Sequence, residues 1–129
     1  MTPGERAAMI MLDRLGEIAR AVTDAMYAEN PGLLARYGER GRVKCLQDMR
    51  YNLEHLAPAV ELDDPPCFVR YIAWCDDLLR SRGVPTRDLA RSLELVEGEL
   101  RTRLAPDEAD AAAVPLRAGL AALRPRAAA

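Results

Sequence analysis

Leu89, Leu93, Val96, Leu100 and Leu104 recur every three or four residues along a segment closed by Pro106. Only a helix brings such positions onto one face, because 3.6 residues per turn superimposes them while the two-residue period of a strand scatters them. The same spacing returns in run after run of the chain, and each run is bounded by helix punctuation. That repetition constrains the fold more than any other feature.

The first run opens on Thr2-Pro3-Gly4-Glu5, a capping box with proline at the first helical position. Behind it, Ala8, Leu12, Leu15, Ile18, Ala19, Val22, Ala25 and Met26 predict one amphipathic helix ending at Asn30-Pro31-Gly32, with Met9, Ile10 and Met11 widening its start so that this end is covered from two sides. Asn30 is placed to cap the next helical segment. A short helical turn from Leu33 to Tyr37 and a loop or loose helix start at Gly38–Gly41 lead into a helix over 42–60, whose stripe of Leu46, Met49, Leu53, Leu56, Ala57 and Val60 spans about 100° of arc. Pro58 predicts a kink or an early end there.

Asp64 caps a third helix with Pro65 at its first position, and Gly83 followed by Pro85 closes it. Thr86 is expected to cap the helix that carries the leucine stripe. The last run, 107–123, keeps helical spacing at Ala109, Ala113, Leu116, Leu120 and Leu123, but Pro115 interrupts it, and the helix either packs across the bundle end or serves as a detachable element. No segment alternates with the period of a strand. The expected fold is all-α, an antiparallel four-helix bundle with an additional C-terminal helix, because short connections fold consecutive helices back on one another. Residues 1–124 form one domain and 125–129 a frayed tail with nothing to bury.

Composition narrows the function. With 129 residues, 50% hydrophobic and 29% charged, the chain can bury one core without staples. Ala and Leu dominate, which favours helices over strands. Lys44 is the one lysine among 18 basic residues, the mark, with the many alanines, of a GC-rich bacterial genome. A net charge of −2 with interspersed signs argues against nucleic acid as a partner. No apolar run is long enough for a membrane span, and Glu5, Arg6, Asp13 and Arg14 break any signal-peptide pattern. An odd number of cysteines, Cys45, Cys67 and Cys75, suits a reducing cytoplasm.

Candidate chemistry is sparse. His55 is the one histidine and falls about 140° from the centre of its helix stripe, so it faces solvent. Cys45 and His55 are about 15 Å apart along one helix axis, and Cys67 and Cys75 about 12 Å along another, by the rise per residue. That is unlike the close ligand pairs of structural zinc. Cys75 reads as a small buried hydrophobe, while Cys67, in a first helical turn, is open to a lowered pKa. The adjacent acids Asp63-Asp64 and Asp76-Asp77 diverge, the first pair capping and the second on a solvated face. No metal, no cofactor and no catalytic residue is expected.

Tyr71, Trp74 and Leu78 lie along one edge of the third predicted helix, beside its stripe and not at its centre. Such an edge suits an interface anchor or the wall of a ligand pocket, and equally a boundary tryptophan whose ring is packed and whose N–H is wet. Tyr51 is a second exposed aromatic, on the outer face of the preceding helix. These residues predict a non-enzymatic regulatory bundle that docks a protein partner or forms a homodimer. The alternative is a small-molecule or tetrapyrrole sensor in which His55 takes part.

The run Asp48-Met49-Arg50-Tyr51-Asn52-Leu53-Glu54-His55-Leu56, then Phe68-Val69-Arg70-Tyr71-Ile72-Ala73-Trp74 and Arg82-Gly83-Val84, resembles helical regulatory modules found ahead of cobalamin-binding or anti-anti-sigma-type domains in bacterial sensor proteins. The likeness covers about residues 40–100. It implies a sensory or interaction role and no catalytic residue.

Overall fold

The Thr2 capping box forms: Glu5 N–H donates to Thr2 Oγ1 at 3.0 Å and Thr2 N–H to Glu5 Oε1 at 2.9 Å. From this start the computed structural model, which describes residues 1–128, winds into six helices with no strand among the described residues. They are α1 (Pro3–Asp13), α2 (Leu15–Glu29), α3 (Gly32–Glu61), α4 (Pro65–Ser81), α5 (Thr86–Arg103) and α6 (Pro106–Ala128). No helix among them is long and apolar enough to cross a membrane.

The first predicted helix is two. Arg14, at φ −108° and ψ 18°, leaves helical geometry and separates α1 from α2. Gly16 follows two residues on, and the packing differs on the two sides of the break: α1 lies against α3 and α6, whereas α2 lies against α3 and α5. The buried face of α1 is accordingly Gly4, Ala7, Ala8 and Met11, while Leu12, predicted inside, is 52% exposed. Met9 is exposed too, so the widened stripe is covered only in part.

The predicted loop at 38–41 contracts to one residue. Gly38 holds φ 68° and ψ −174°, a conformation that side chains with a Cβ avoid, and helical backbone lies on both sides of it. Asn30 makes no side-chain cap; Leu33 N–H bonds to its backbone carbonyl. Farther along, α3 runs through Pro58 to Glu61, and Leu62 N–H still reaches the Pro58 carbonyl at 3.0 Å, so the expected early end does not occur.

Asp64 caps α4 through Cys67 N–H. At the other end Val84 N–H bonds to Leu79 O and Gly83 N–H to Arg80 O, with Gly83 at φ 81°, the paired bonds of a left-handed helix stop. The α5 stripe of Leu89, Leu93, Val96, Leu100 and Leu104 is buried throughout. Thr86, however, does not cap. Pro85 takes that position, and Thr86 Oγ1 donates to Asp76 instead.

Of the two roles open to the last helix, the structure shows packing: α6 lies on α1, α3, α4 and α5, burying Ala109, Ala112, Ala113, Pro115, Leu116, Gly119 and Leu123. Small residues let it approach its neighbours closely, while Asp107, Asp110, Val114, Arg117 and Arg124 keep the opposite face in solvent. Where a frayed tail is expected, helix continues to Ala128; Ala129 lies outside the described residues. Arg126 there bonds to Asp76 Oδ2 at 3.1 Å and Asp77 Oδ1 at 2.8 Å. Asp76 is fully buried, not solvated, because these donors and Thr86 surround it.

Arginines stitch other helices at the surface. Arg6 joins α1 to Asp107 and Glu108 on α6, Arg91 joins α5 to Glu29 on α2, and Arg117 joins α6 to Glu97 on α5. Exposed pairs of this kind add little stability, but bidentate forks such as Arg91–Glu29 favour one register.

Candidate functional site

Asn52 of α3 is buried, and its Oδ1 accepts the Tyr71 hydroxyl of α4 at 2.6 Å and, more weakly, the Cys75 thiol at 3.8 Å. This bond pins the phenol ring at the α3–α4 seam. Burial pushes the Tyr71 hydroxyl well above the usual phenol range, helped by the nearby Cys75, so it remains a neutral donor. Asn52 Nδ2 has no partner among the described residues.

On the pinned ring stacks His55. Their centroids are 3.9 Å apart with 9° between planes. His55 Nδ1 lies 2.8 Å from the Tyr51 carbonyl, one turn back on α3. A carbonyl only accepts, so Nδ1 carries the proton in the neutral ring, and Nε2 keeps its lone pair. Trp74 follows one turn after Tyr71 on α4, with ring centroids 6.0 Å apart and planes tilted by 42°. Its side chain is 60% exposed, and Tyr51 is 46% exposed. Leu78, one turn farther, is half-buried.

The structure thus brings His55, Tyr71 and Trp74 into one continuous aromatic face, with Tyr51 beside His55 on α3. Helix periodicity places each residue on its own helix, but the His55–Tyr71 stack is a cross-helix contact that no single-helix pattern contains. Trp74 is out in solvent to a degree that a packed boundary residue is not.

A second feature escapes the periodicity argument altogether. A pocket of about 220 Å³ opens between α2, α3, the end of α4 and α5. Its walls include Met26, Leu33, Met49, Leu79 and Leu89, and Cys45, Asp48 and Asp88 line it as well. Burial pushes the Cys45 thiol up to about 11; the nearby Thr23 hydroxyl and Arg42 pull the other way, while the Asp48 and Asp88 charges reinforce the rise. Burial likewise raises the Asp48 carboxyl, against the pull of Lys44 and Arg82. The helix wheel hides it: Asp48 falls outside the arc of Leu46, Met49, Leu53, Leu56, Ala57 and Val60, on the side of Asn52 and His55.

Among the described residues no three His, Cys, Asp or Glu side chains converge as a metal site would require. All three cysteines are free thiols. The chain matches no protein-family model and no curated protein.

Proposed function

We propose that the chain is a non-enzymatic regulatory bundle that docks a protein, a partner or a second copy, through the face of Tyr51, His55, Tyr71 and Trp74. One observation carries this reading: a 60%-exposed tryptophan continues a histidine–tyrosine stack that is already fixed from below by Asn52. A large aromatic surface held in place before binding loses little freedom on association, and tryptophan and tyrosine dominate the centres of protein interfaces. Arg50, Glu54, Arg70 and Asp77 are exposed on the same two helices, so both signs of charge are available for a polar rim. Short connections favour an antiparallel four-helix arrangement of the chain before α6, which would hold α3 and α4 side by side as the platform. Three free thiols suit work in a reducing compartment such as the cytoplasm.

The test is Trp74→Ala, followed by solution mass and by capture of partners from the native host. Loss of the dimer or of a captured partner, with helical content unchanged, supports docking. An unchanged mass and unchanged capture, with the fold intact, refute it.

A second reading has its own support. His55 Nδ1 faces a carbonyl, and Nε2 stands free beside an aromatic wall, an arrangement that orients a histidine for axial ligation of a tetrapyrrole metal. An absorption spectrum of protein purified from its host tests it directly. A colourless protein whose melting is unmoved by haem, bilin or cobalamin removes it.

A further inference from the structure

The pocket between α2, α3, α4 and α5 shares no residue with the aromatic face. An apolar cavity of roughly 150 Å³ holds a benzene ring. At about 220 Å³, this one accommodates such a ring with a short arm. Its apolar walls come from four helices, so a ring entering it would be enclosed by Met26, Leu33, Met49 and Leu89.

What distinguishes the pocket is its charge. Asp48 and Asp88 are both half-buried, one on α3 and one on α5, and both line the pocket beside its apolar walls. Neither side chain has a hydrogen-bond donor or an ion-pair partner among the described residues, although most carboxylates bridging the other helices hold an arginine. A half-buried carboxylate without a donor is costly to keep charged, and an incoming N–H cation removes that cost. Lys44 and Arg82 also border the pocket and their charges reach Asp48, but both side chains are exposed and neither forms an ion pair with it.

We infer that this pocket binds a small aryl-alkyl amine, its ring between the helices and its ammonium group between Asp48 and Asp88. Leu33 and Tyr37, on the short helical stretch before Gly38, form the outer wall, held to the far side by one long hydrogen bond from Tyr37 Oη to Gly83 O at 3.5 Å. Gly38 is the pivot about which that wall would move to admit the ligand.

Three probes of one shape separate the anchors: 2-phenylethylamine, 3-phenylpropanoate and 2-phenylethanol, each titrated at pH 7 and followed by thermal unfolding and by amide NMR shifts. The amine should raise the melting temperature in proportion to occupancy and shift the amides of Cys45, Val84 and Ser92. Asp48→Asn and Asp88→Asn should each weaken it by about tenfold or more, the loss expected for one charge-assisted hydrogen bond. Met49→Trp, which fills the pocket and leaves both carboxylates in place, should abolish the response while the chain remains helical. Equal or stronger binding of the carboxylate would make Lys44 and Arg82 the anchors and overturn the inference. So would equal binding of the alcohol, an amine affinity indifferent to both asparagine variants, or no binding of the amine at millimolar concentration.

Discussion

Phe68 on α4 lies so close to Gly119 on α6 that a Cβ at position 119 would stand 2.9 Å from the ring's Cε2 and 3.1 Å from its Cδ2. Phe68 is fully buried, so its ring has no free direction in which to retreat. The α4–α6 contact is therefore set by the absence of a side chain at one position, and α6 joins the core because of it.

Gly119→Ala should destabilise the protein although alanine is the better helix former. The propensity gain is about 1 kcal/mol, whereas overpacking a closed core costs roughly 1–3 kcal/mol. Urea unfolding checks the sign. In a Phe68→Leu background the penalty should shrink, because the smaller side chain makes room; an equal penalty in both backgrounds would place the strain elsewhere.

Arg126→Ala should lower the melting temperature despite its position near the C-terminus. It supplies a donor to Asp76, whose other oxygen, Oδ1, already lacks a partner among the described residues. The loss should be smaller when Asp76 is already asparagine, since the neutral amide needs no cation. A double-mutant cycle reads the difference, and additive losses would mean that the pair is not coupled.

Gly38→Ala should cost about 1–3 kcal/mol, because φ 68° with ψ −174° is strained for any residue with a Cβ. No heavy atom lies within 4 Å of the would-be Cβ, so the cost is backbone strain and not a clash. Hydrogen exchange should therefore accelerate first in residues 32–37, ahead of any change in α4 or α5. Uniform acceleration would show that the break is not local.

The order of residues makes some of this legible and hides the rest. The α5 stripe, the Thr2 and Asp64 caps and the Gly83 stop depend on neighbours within one turn, and all are visible without a structure. The break at Arg14 is not, because it coincides with a change of packing partners. The role of α6 is hidden for a different reason: its stripe is built largely of small residues, and Pro115 reads as an interruption until its burial is known. Periodicity places Trp74 and His55 on their helices, but the stack on Tyr71 and the placing of Asp88 in one pocket with Cys45 and Asp48 arise between helices. Side-chain pairs that meet across a seam leave no periodic trace.

Alkaline pH should weaken the fold before it affects the helices directly. Burial is the main reason that the Cys45 and Cys75 thiols are pushed up to about 11 from an ordinary 9.0, and the Asp48 charge adds to both. In the unfolded chain these thiols ionise near 9, while in the folded chain they keep their protons until about 11. The unfolded state therefore binds fewer protons across that window, and stability falls as pH rises through it. The buried Tyr71 hydroxyl, also raised, extends the trend upward. A Cys45→Ala, Cys75→Ala double variant should show a flatter profile between about pH 9 and 11 in urea titrations. The same protonation predicts reactivity: at about pH 8 a thiol raised this far carries about 100-fold less thiolate, so both cysteines should alkylate that much more slowly in native protein than in urea. Mass spectrometry of iodoacetamide-treated protein separates the sites, and rapid native labelling of Cys75 would show that its burial is not maintained in solution.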